Sequence, residues 1–462
     1  MNKPTLQSLI GKRVHFIGIG GAGMSGLARI ALSHAITVSG SDAKDSTVVK
    51  ALQALGATIA TEHAGENIDG ADLVVYSTAI STNNPELVRA RELALPILTR
   101  AAALSILMSE SKSIAVAGTH GKTTTSSMLA VALQACGADP SFAIGGTITA
   151  SGSNAHRGNG EIFVAEADES DGSFIEYHPF GAIVTNIEHD HVDFFATPDD
   201  VKQAFSDFAA TIKPDGFLTY CADDAGASAL AASITSCALI SYGTAPDCDL
   251  TLDSIELEAL GSQARAIWRG KVVGVIQLQV PGRHNLLNAA AVLATGLNLG
   301  FGAPELLTGL ATYRGTGRRF EVKGTVHGIR VVDDYGHHPT EIDVTLQAAR
   351  RFAGDGRVIV IFQPHRYSRT QAFYKEFAKV LDMADRAIVL EIYAASEKAI
   401  TGVTSRLITE QMEHGEYIPN FVEVTDSVVE LAQPQDVIIT LGAGDVSSLS
   451  SIIVDGLSRR FG

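Results

Sequence analysis

Residues 113–125 read Ser-Ile-Ala-Val-Ala-Gly-Thr-His-Gly-Lys-Thr-Thr-Thr, and this stretch decides the fold class. Its first five residues are typical of a buried strand, a glycine-rich turn comes next, and a helix-like segment, 126–135, follows. A turn of this kind binds anions, because backbone N–H groups at a helix N-terminus attract phosphate. Lys122 would reach the β- and γ-phosphates of a nucleoside triphosphate, and the Thr123 hydroxyl would ligate Mg²⁺.

This loop departs from the usual pattern of phosphate-binding loops, because Val116 stands where the first glycine is expected. The loop is therefore shorter than the common one. Gly-Lys-Thr also occurs by chance, but between a buried strand and a helix it indicates a nucleotide site. We expect the nucleotide to contact Gly118, Thr119, His120, Gly121, Lys122, Thr123 and Thr124.

A second glycine loop lies about one hundred residues earlier and reads Gly18-Ile-Gly20-Gly21-Ala-Gly23. It follows a strand-like run, precedes a helix-like one, and is followed nineteen residues after Gly23 by Asp42. This is the context of the dinucleotide-binding fingerprint, in which the glycines let the backbone approach a pyrophosphate. The motif indicates a diphosphate without saying which one. A nicotinamide cofactor is the default, and a tight turn without a ligand is the alternative.

Short apolar runs alternate with helix-like stretches along nearly the whole chain, which predicts doubly wound α/β domains. One βα series ends near residues 108–112, and a Gly/Arg-rich segment at 313–319 precedes a third series. In residues 248–280 the apolar and polar residues alternate in a different pattern. This pattern predicts antiparallel strands added to the middle region.

Acidic residues follow two of the predicted strands. Four carboxylates occur within residues 166–171, and Asn-Ile-Glu-His-Asp-His occupies residues 186–191. Open α/β sheets bind ligands at strand carboxyl ends, and Mg²⁺ takes one or two carboxylates there. Glu166 lies nearest the strand end and is the best candidate. Chemistry alone favours a hydrogen-bonding role for His191 over a magnesium-ligating one.

Composition narrows the class of protein. The chain has 462 residues, too many for one ordinary core, with 46% hydrophobic and 19% charged residues. No apolar run is long enough to span a membrane, and the first eleven residues predict no signal peptide. The four cysteines lack C-x-x-C spacing and predict a reduced, cytoplasmic protein. The net charge of −16 argues against nonspecific nucleic-acid binding.

Several motifs, in this order, resemble those of the Mur ligases of peptidoglycan synthesis, and within that family those of the branch that adds alanine. They are the loops at 18–24 and 118–125, Glu-Ala-Asp-Glu-Ser-Asp at 166–171, Thr-Asn-Ile-Glu-His-Asp-His at 185–191, Pro-Gly-Arg-His-Asn-Leu-Leu-Asn at 281–288, Asp-Asp-Tyr-Gly-His-His-Pro-Thr-Glu at 333–341 and Phe-Gln-Pro-His-Arg-Tyr-Ser-Arg-Thr at 362–370. These motifs are specific and cover nearly the whole chain.

The resemblance implies three α/β domains. They are a Rossmann-like UDP-binding domain over 1–110, a P-loop ATPase-like domain with a small added antiparallel sheet over 111–313, and a Rossmann-like amino-acid-binding domain over 314–462. Because the catalytic motifs are spread from Gly18 to Arg369, we also expect the three domains to close around one centre.

The resemblance assigns roles to individual residues. It implies that Thr123, Glu166 and His191 hold Mg²⁺, against the expectation from chemistry alone for His191, and that Lys122, Glu166, His191, His338 and Arg366 act in catalysis. It places ATP against the second loop and against His284, Asn285, Asn288, Arg319 and Asp334. It places the substrates against Gly18, Gly20, Gly21, Gly23, Met24, Asp42, Ser77, Thr78, Arg318, His365, Arg366 and Arg369.

The implied reaction joins L-alanine to the lactyl carboxylate of UDP-N-acetylmuramate with ATP and Mg²⁺, through an acyl phosphate. The implied protein is cytoplasmic, a monomer or homodimer, without nucleic-acid or membrane partners. Three alternatives remain: a recycling ligase that adds a whole peptide to the same UDP-sugar, an NAD-dependent dehydrogenase, and a non-catalytic nucleotide-regulated binding protein. The intact residues Lys122, Thr123, Glu166 and His191 argue against the last.

Overall fold

The computed structural model of the protein describes residues 4–77 and 80–462. Within these residues three β-sheets follow one another along the chain, with five, ten and six strands. The three-domain α/β architecture expected from the sequence is confirmed. The domain limits predicted at 110/111 and 313/314 fall between the sheets, and they stay a prediction.

The first sheet is parallel, with the strand order β3-β2-β1-β4-β5. The order reverses between β1 and β4, and doubly wound sheets bind ligands at such a switch point. The first glycine loop leaves β1 at this place. The strands are β1 (Arg13–Ile17), β2 (Thr37–Ser41), β3 (Thr58–Ala60), β4 (Leu73–Tyr76) and β5 (Ile97–Thr99), and the helices are α1 (Leu6–Leu9), α2 (Ala22–Ser33), α3 (Thr47–Ala54), α4 (Pro85–Glu92) and α5 (Arg100–Met108).

The second sheet has the order β15-β14-β13-β12-β11-β10-β6-β9-β7-β8. Its strands are β6 (Lys112–Ala117), β7 (Ser141–Ile148), β8 (Ser153–His156), β9 (Ile162–Glu166), β10 (Gly181–Val184), β11 (Phe217–Cys221), β12 (Ala238–Gly243), β13 (Leu250–Leu257), β14 (Ser262–Trp268) and β15 (Lys271–Leu278). Its helices are α6 (Lys122–Ala135), α7 (Pro198–Ala210), α8 (Ala225–Ser233), α9 (Arg283–Asn298) and α10 (Ala303–Thr312).

The antiparallel strands predicted at 248–280 are present as β13, β14 and β15. They continue the main sheet, because β13 pairs in parallel with the end of β12 at Tyr242 and Gly243. At the opposite edge, β7 and β8 form an antiparallel pair that the sequence did not predict. The parallel centre, with β6 between β10 and β9, carries the second glycine loop at its carboxyl end.

The third sheet has the order β16-β17-β21-β18-β19-β20, parallel except for the edge strand β16. The strands are β16 (Glu321–Val326), β17 (Ile329–Asp334), β18 (Val358–Phe362), β19 (Arg386–Val389), β20 (Gly415–Tyr417) and β21 (Val437–Leu441), and the helices are α11 (Pro339–Ala353), α12 (Tyr367–Leu381), α13 (Arg406–Thr409), α14 (Phe421–Leu431) and α15 (Ser447–Phe461). The central strands β18 and β21 are buried along their whole length, as their runs of β-branched residues predict.

The cores show which parts of the molecule are packed firmly together. Met24 and Leu104 beside the first sheet belong to one hydrophobic cluster with Phe163 and Phe174 of the second. The third sheet has separate clusters on its two faces. It meets the second sheet mainly through polar and charged pairs, described below. Among the described residues, every helix is too short or too polar to cross a bilayer.

Candidate active site

The second glycine loop connects β6 to α6 through two glycines that no other residue could replace without strain. Gly118 has φ +132°, and a Cβ there would lie 2.0 Å from the hydroxyl of Thr185. Gly121, at φ +84°, is the left-handed residue immediately before α6, and a Cβ there would lie 2.8 Å from Asn288 Oδ1. Only glycine satisfies both the dihedral angle and the space, so the loop is fixed tightly around the start of the helix.

Lys122 is the first residue of α6, and its ammonium group lies in the loop. The Nζ atom donates to the carbonyls of Gly118 at 2.7 Å and Thr119 at 3.0 Å, and to Glu169 Oε1 at 2.9 Å. Burial lowers the pKa of Lys122, but the carboxylates of Glu169 and Asp168 outweigh it, so the pKa is raised. The lysine is therefore a largely buried cation in the loop, 12% exposed, as phosphate binding requires.

Thr123 and Glu166, two of the three predicted magnesium ligands, touch each other. The Thr123 hydroxyl donates to Glu166 Oε1 at 2.8 Å, and the Gly145 N–H donates to Oε2 at 2.6 Å. Glu166 ends β9 beside β6, which explains how residues 43 positions apart meet. A hydroxyl and a carboxylate are hard oxygen ligands of the type that Mg²⁺ prefers.

His191, the third predicted ligand, lies on the far side of Glu169. Its Nε2 is 3.5 Å from Glu169 Oε1 and 3.8 Å from Asp190 Oδ2. With Asp168 and Glu169 it forms a group whose potential ligand atoms all lie within 4.8 Å of one another. The structure thus adds Asp168 and Glu169 to the candidate metal ligands. The sequence signal for both was the same carboxylate run from which only Glu166 was chosen.

A cavity of about 180 Å³ lies beside the second loop, between α9 and α11. Asn285, in the first turn of α9, donates to the carbonyl of Pro281 at 2.7 Å. Burial, and after it Arg319, lowers the pKa of His284 to about 4, so its ring is neutral. The cavity gathers most of the predicted ATP-contacting residues: His120, Gly121, Thr124, His284, Asn285, Asn288, Arg319 and Asp334.

His120 ties this loop to the third domain. Its Nε2 lies 3.3 Å from Glu188 Oε2 and its Nδ1 lies 3.4 Å from Glu341 Oε1. Burial lowers the pKa of His120, but hydrogen bonds to these two carboxylates outweigh it and raise the pKa to about 9. Thr340 also donates to Glu188 Oε2, at 2.8 Å. Sequence reasoning missed both carboxylates: Glu188 lies 68 residues from His120 in the same domain, and Glu341 lies in the third domain.

A larger cavity, about 660 Å³, lies where the three sheets meet. The first domain contributes Gly23 and Arg100 to its wall. From the other two domains come the predicted residues Thr119, Gly121, Lys122, Thr123, Glu166, His191, Arg318, Arg319, His365, Arg366 and Arg369. Residues separated by as much as 346 positions, Gly23 and Arg369, therefore line one space.

The first loop meets this cavity only at its end. The Gly20 N–H donates to Asp42 Oδ2 at 2.9 Å, so Asp42 fixes the loop itself. Met24 is 2% exposed and packs in the core, which leaves only its backbone for a ligand. Among the described residues, Gly23 lines the cavity whereas Gly18, Gly20, Gly21, Asp42 and Ser77 do not. Thr78 lies outside the described residues.

Arg100 is a partly buried cation that sequence reasoning missed. It begins α5, and a Cβ on Gly23 would lie 2.9 Å from its Cδ. The phenol of Tyr177 raises the pKa of Arg100, burial lowers it, and Asp168 raises it again. Arg100 thus brings positive charge from the first domain next to the carboxylates of the second. Its position after the carboxyl end of β5 was the signal that could have identified it.

The arginine pair 318–319 lies at the entrance to the third domain. The Arg318 Nη2 donates to the carbonyl of Gly442 at 2.6 Å, which ties this residue to the third domain. Arg319 Nη1 is 3.5 Å from Glu341 Oε1, and Arg319 lines both cavities. Both guanidinium groups lie over the ring of Tyr335, at 4.9 and 5.1 Å from its centroid. Arg319 is thus placed between the two cavities.

Arg369 was predicted to bind the amino acid, but the structure gives its nitrogens other partners. Nε and Nη2 donate to Asp190 Oδ1 at 3.0 and 2.9 Å, and Nη1 lies 3.2 Å from His365 Nδ1. Burial raises the pKa of Asp190, but Arg369 outweighs it, so the pKa lies well below its usual range. Arg369 therefore links the second and third domains. Arg366 pairs with Asp193 across the same interface.

Two adjacent histidines lie at the start of α11. Among the described residues that line the larger cavity, His337 is present and His338 is not. His338 is 5% exposed, caps the N-terminus of α11 through Thr340, and packs against the rings of His120 and Phe373. A catalytic role for His338 stays a prediction. Asp334 accepts from the N–H groups of Phe320 at 2.7 Å and Gly336 at 2.8 Å, and it lines the smaller cavity.

Three family descriptions match the chain in succession: the Mur ligase catalytic domain over residues 13–112, the Mur ligase middle domain over 116–296, and the Mur ligase glutamate ligase domain over 318–444. The chain therefore belongs to the Mur ligase family. The resemblance seen in the motifs is confirmed, and the dehydrogenase alternative is removed.

Individual relatives narrow the similarity further. Proteins named UDP-N-acetylmuramate–L-alanine ligase from Paenarthrobacter aurescens (strain TC1) and Saccharopolyspora erythraea are each 49% identical to this chain. The first alignment covers 96% of this chain and 97% of the relative, and the second covers 98% and 94%. The crystal structure of the UDP-N-acetylmuramate-alanine ligase MurC from Thermotoga maritima is 30% identical, with a TM-score of 0.83, over 97% of this chain and 100% of that one.

A murein peptide ligase from Psychrobacter arcticus 273-4 is similar as well. Its structure is 24% identical, with a TM-score of 0.73, over 97% of this chain and 99% of that one. It shares the fold, so the fold alone does not distinguish addition of alanine from addition of a peptide. That distinction rests on the site and on the similarity of the whole sequence.

Proposed function

We infer that this protein joins L-alanine to the lactyl carboxylate of UDP-N-acetylmuramate and converts ATP to ADP and phosphate. The observation that carries this proposal is the shared cavity, which Gly23 of the first loop and Lys122 of the second both line. Two phosphorylated ligands, one on each loop, would meet there. The names and the near-complete coverage of the 49% identical relatives support the same reaction.

The proposed chemistry has two steps. The lactyl carboxylate attacks the γ-phosphorus in line, the bond to the β–γ bridging oxygen breaks, and an acyl phosphate and ADP form. The amine of alanine then attacks the acyl carbon and loses a proton, which forms the amide bond. The bond between the acyl carbon and the phosphate oxygen breaks, and phosphate leaves. Lys122 would exchange its loop carbonyls for phosphate oxygens and neutralise charge developing in the first step.

Thr123 and Glu166 fit a magnesium ion, because both present oxygen atoms at the mouth of the loop. We propose that these two residues hold it together with His191, whose ring nitrogen is also grouped with the carboxylates of Asp168 and Glu169. The ion would neutralise charge on the phosphate oxygens during transfer. The smaller cavity, with neutral His284 and with Asn285 and Asn288 on α9, would take the adenosine part of ATP.

The amino acid would bind at the third domain, where His365 and Arg366 follow the carboxyl end of β18. Arg366 would hold the carboxylate of alanine. We further propose a cytoplasmic enzyme, monomeric or homodimeric, that has no nucleic-acid or membrane partner, and three domains limited at 110/111 and 313/314.

Phosphate release tests the proposal directly. Purified protein with UDP-N-acetylmuramate, ATP and Mg²⁺ should release phosphate when L-alanine is added, and glycine and serine, tested in the same way, measure its selectivity. In a second reaction, a tripeptide replaces alanine and phosphate release is measured again. Phosphate release without an amino acid that alanine does not change would contradict a ligase, and preference for the peptide would favour the recycling alternative.

A further inference from the structure

Arg366 stands at the larger cavity in an unusual backbone conformation. It precedes α12 with φ +72°, in the left-handed region that non-glycine residues seldom adopt. Its N–H donates to the carbonyl of Tyr393 at 2.8 Å, which holds that conformation in place. The backbone thus directs the guanidinium group toward the cavity and the second domain.

Asp193, on the loop after β10, pairs with Arg366 through a single nitrogen, Nη1. Both side chains of this pair are 30% exposed, so water and solutes reach them. The neighbouring pair across the same interface differs, since Asp190 and Arg369 are each only 3% exposed. The Asp190–Arg369 pair is therefore buried, whereas the Asp193–Arg366 pair is partly exposed and its Arg366 lines the cavity.

The loop that carries Asp193 is fixed independently of this pair. The N–H groups of Phe194 and Phe195 both donate to the carbonyl of His191 at 2.8 Å, and Asp190 is held by Arg369. Asp193 can therefore leave Arg366 by rotating its side chain, without movement of the loop. The buried Asp190–Arg369 pair continues to hold the second and third domains together while Asp193 moves.

We propose that Asp193 occupies, on Arg366, the place of the amino-acid carboxylate, and that it must leave before the amino acid binds. This rests on the proposed function, in which Arg366 holds the carboxylate of alanine. The two groups are chemically the same, and a guanidinium binds a carboxylate best through two parallel N–H groups. Asp193 is thus an internal competitor that weakens amino-acid binding and keeps Arg366 paired in its absence.

The test is Asp193→Asn, which keeps the shape of the side chain and removes its charge. The KM for L-alanine should fall about two- to fivefold, the range expected when a partly exposed ion pair no longer competes. The KM values for ATP and UDP-N-acetylmuramate should stay within about twofold of the wild type. A KM for alanine that is unchanged or higher would overturn the proposal.

L-alaninamide separates competition for the carboxylate from a contact with the amine. It lacks the carboxylate, so Asp193→Asn should leave its KM unchanged. If Asp193 instead binds the substrate ammonium group, the variant raises the KM for both alanine and alaninamide, and the proposal is wrong. Failure of the proposed function is a different result, because wild-type protein would then show no alanine-dependent phosphate release.

Discussion

At the scale of single residues, the site holds its charges in place before any ligand arrives. Lys122 is held by two carbonyls and the carboxylate of Glu169, and Glu166 is held between Thr123 and the Gly145 N–H. Groups fixed in this way need little rearrangement when charge develops on a transferring phosphoryl group. The largest effects of substitution should therefore appear in turnover.

Lys122→Ala should lower turnover by about two to three orders of magnitude, the usual cost of losing one fixed donor in such a site. Binding of UDP-N-acetylmuramate should change little, because that ligand lies on the other loop. Phosphate release and calorimetric titration of the UDP-sugar would measure the two effects. Lys112→Ala, at the opposite, exposed end of β6, is the matched control. If Lys122→Ala lost both turnover and binding of the UDP-sugar, the two ligands would not be bound by separate loops.

His120 makes the stability of the molecule depend on pH. Its folded-state pKa of about 9 lies above its ordinary value of 6.5, so folding favours the protonated ring. This stabilisation, at most about 3 kcal/mol, is complete below pH 6.5 and is lost as pH rises through about 9. The melting temperature of wild type should therefore exceed that of His120→Gln by more at pH 6 than at pH 10.

The control for this comparison is His156→Gln, which removes a half-exposed histidine in the same domain. Its melting temperature should follow that of wild type across the same pH range. A constant difference between wild type and His120→Gln from pH 6 to pH 10 would show that the ring is not held protonated.

At the scale of elements, the second loop and α6 act as one unit whose geometry depends on glycine. Gly118 and Gly121 stand at the start of α6, and Gly137, at φ +73°, stands just past its end. All three have positive φ, but only the first two have neighbours where a Cβ would lie. The helix therefore allows backbone strain to be separated from steric conflict.

Gly118→Ala should abolish nucleotide binding and lower the melting temperature, because the new methyl group would lie 2.0 Å from Thr185 Oγ1. Gly137→Ala carries the dihedral strain alone, about 1 kcal/mol, and should leave nucleotide binding intact. Titration with a non-hydrolysable ATP analogue and thermal unfolding would compare the two variants. Equal binding by both would mean that the loop can shift to admit a side chain.

The local sequence pattern predicted the helices, the strands and the site residues at strand ends. The partners of the charged site residues depend on contacts between segments that are distant in the sequence. Both glycine loops, Glu166, and Asn285 and Asn288 could be placed because each follows a recognisable strand or motif, in part through the family resemblance. The partners of Arg369 and His120 could not be predicted, because Asp190 and Glu341 lie in other domains. Ion pairs between domains produce no periodic pattern in the sequence. The burial of His338, predicted to act in catalysis, could not be read from the sequence either, because the start of α11 decides which of two adjacent histidine rings is buried.

At the scale of the whole molecule, the domains are joined in two different ways. The first and second share a hydrophobic cluster, whereas the second and third meet through pairs such as Asp190–Arg369 and His120–Glu341. A polar interface of this kind permits domain movement, because separated charges regain water. In this arrangement one cavity is lined by residues of all three domains. Closure would keep water from the acyl phosphate.

Asp190→Ala should open the molecule in the absence of ligands. It leaves Arg369 charged and buried without its partner, a loss of about 3–5 kcal/mol that opening relieves by exposing the guanidinium to water. X-ray scattering should show a larger radius of gyration for this variant than for wild type, and addition of an ATP analogue with UDP-N-acetylmuramate should reduce the difference. The control is Asp199→Ala, which removes an exposed pair with Lys202 on α7. If Asp190→Ala scatters like this control with and without ligands, the Asp190–Arg369 pair does not hold the domains closed.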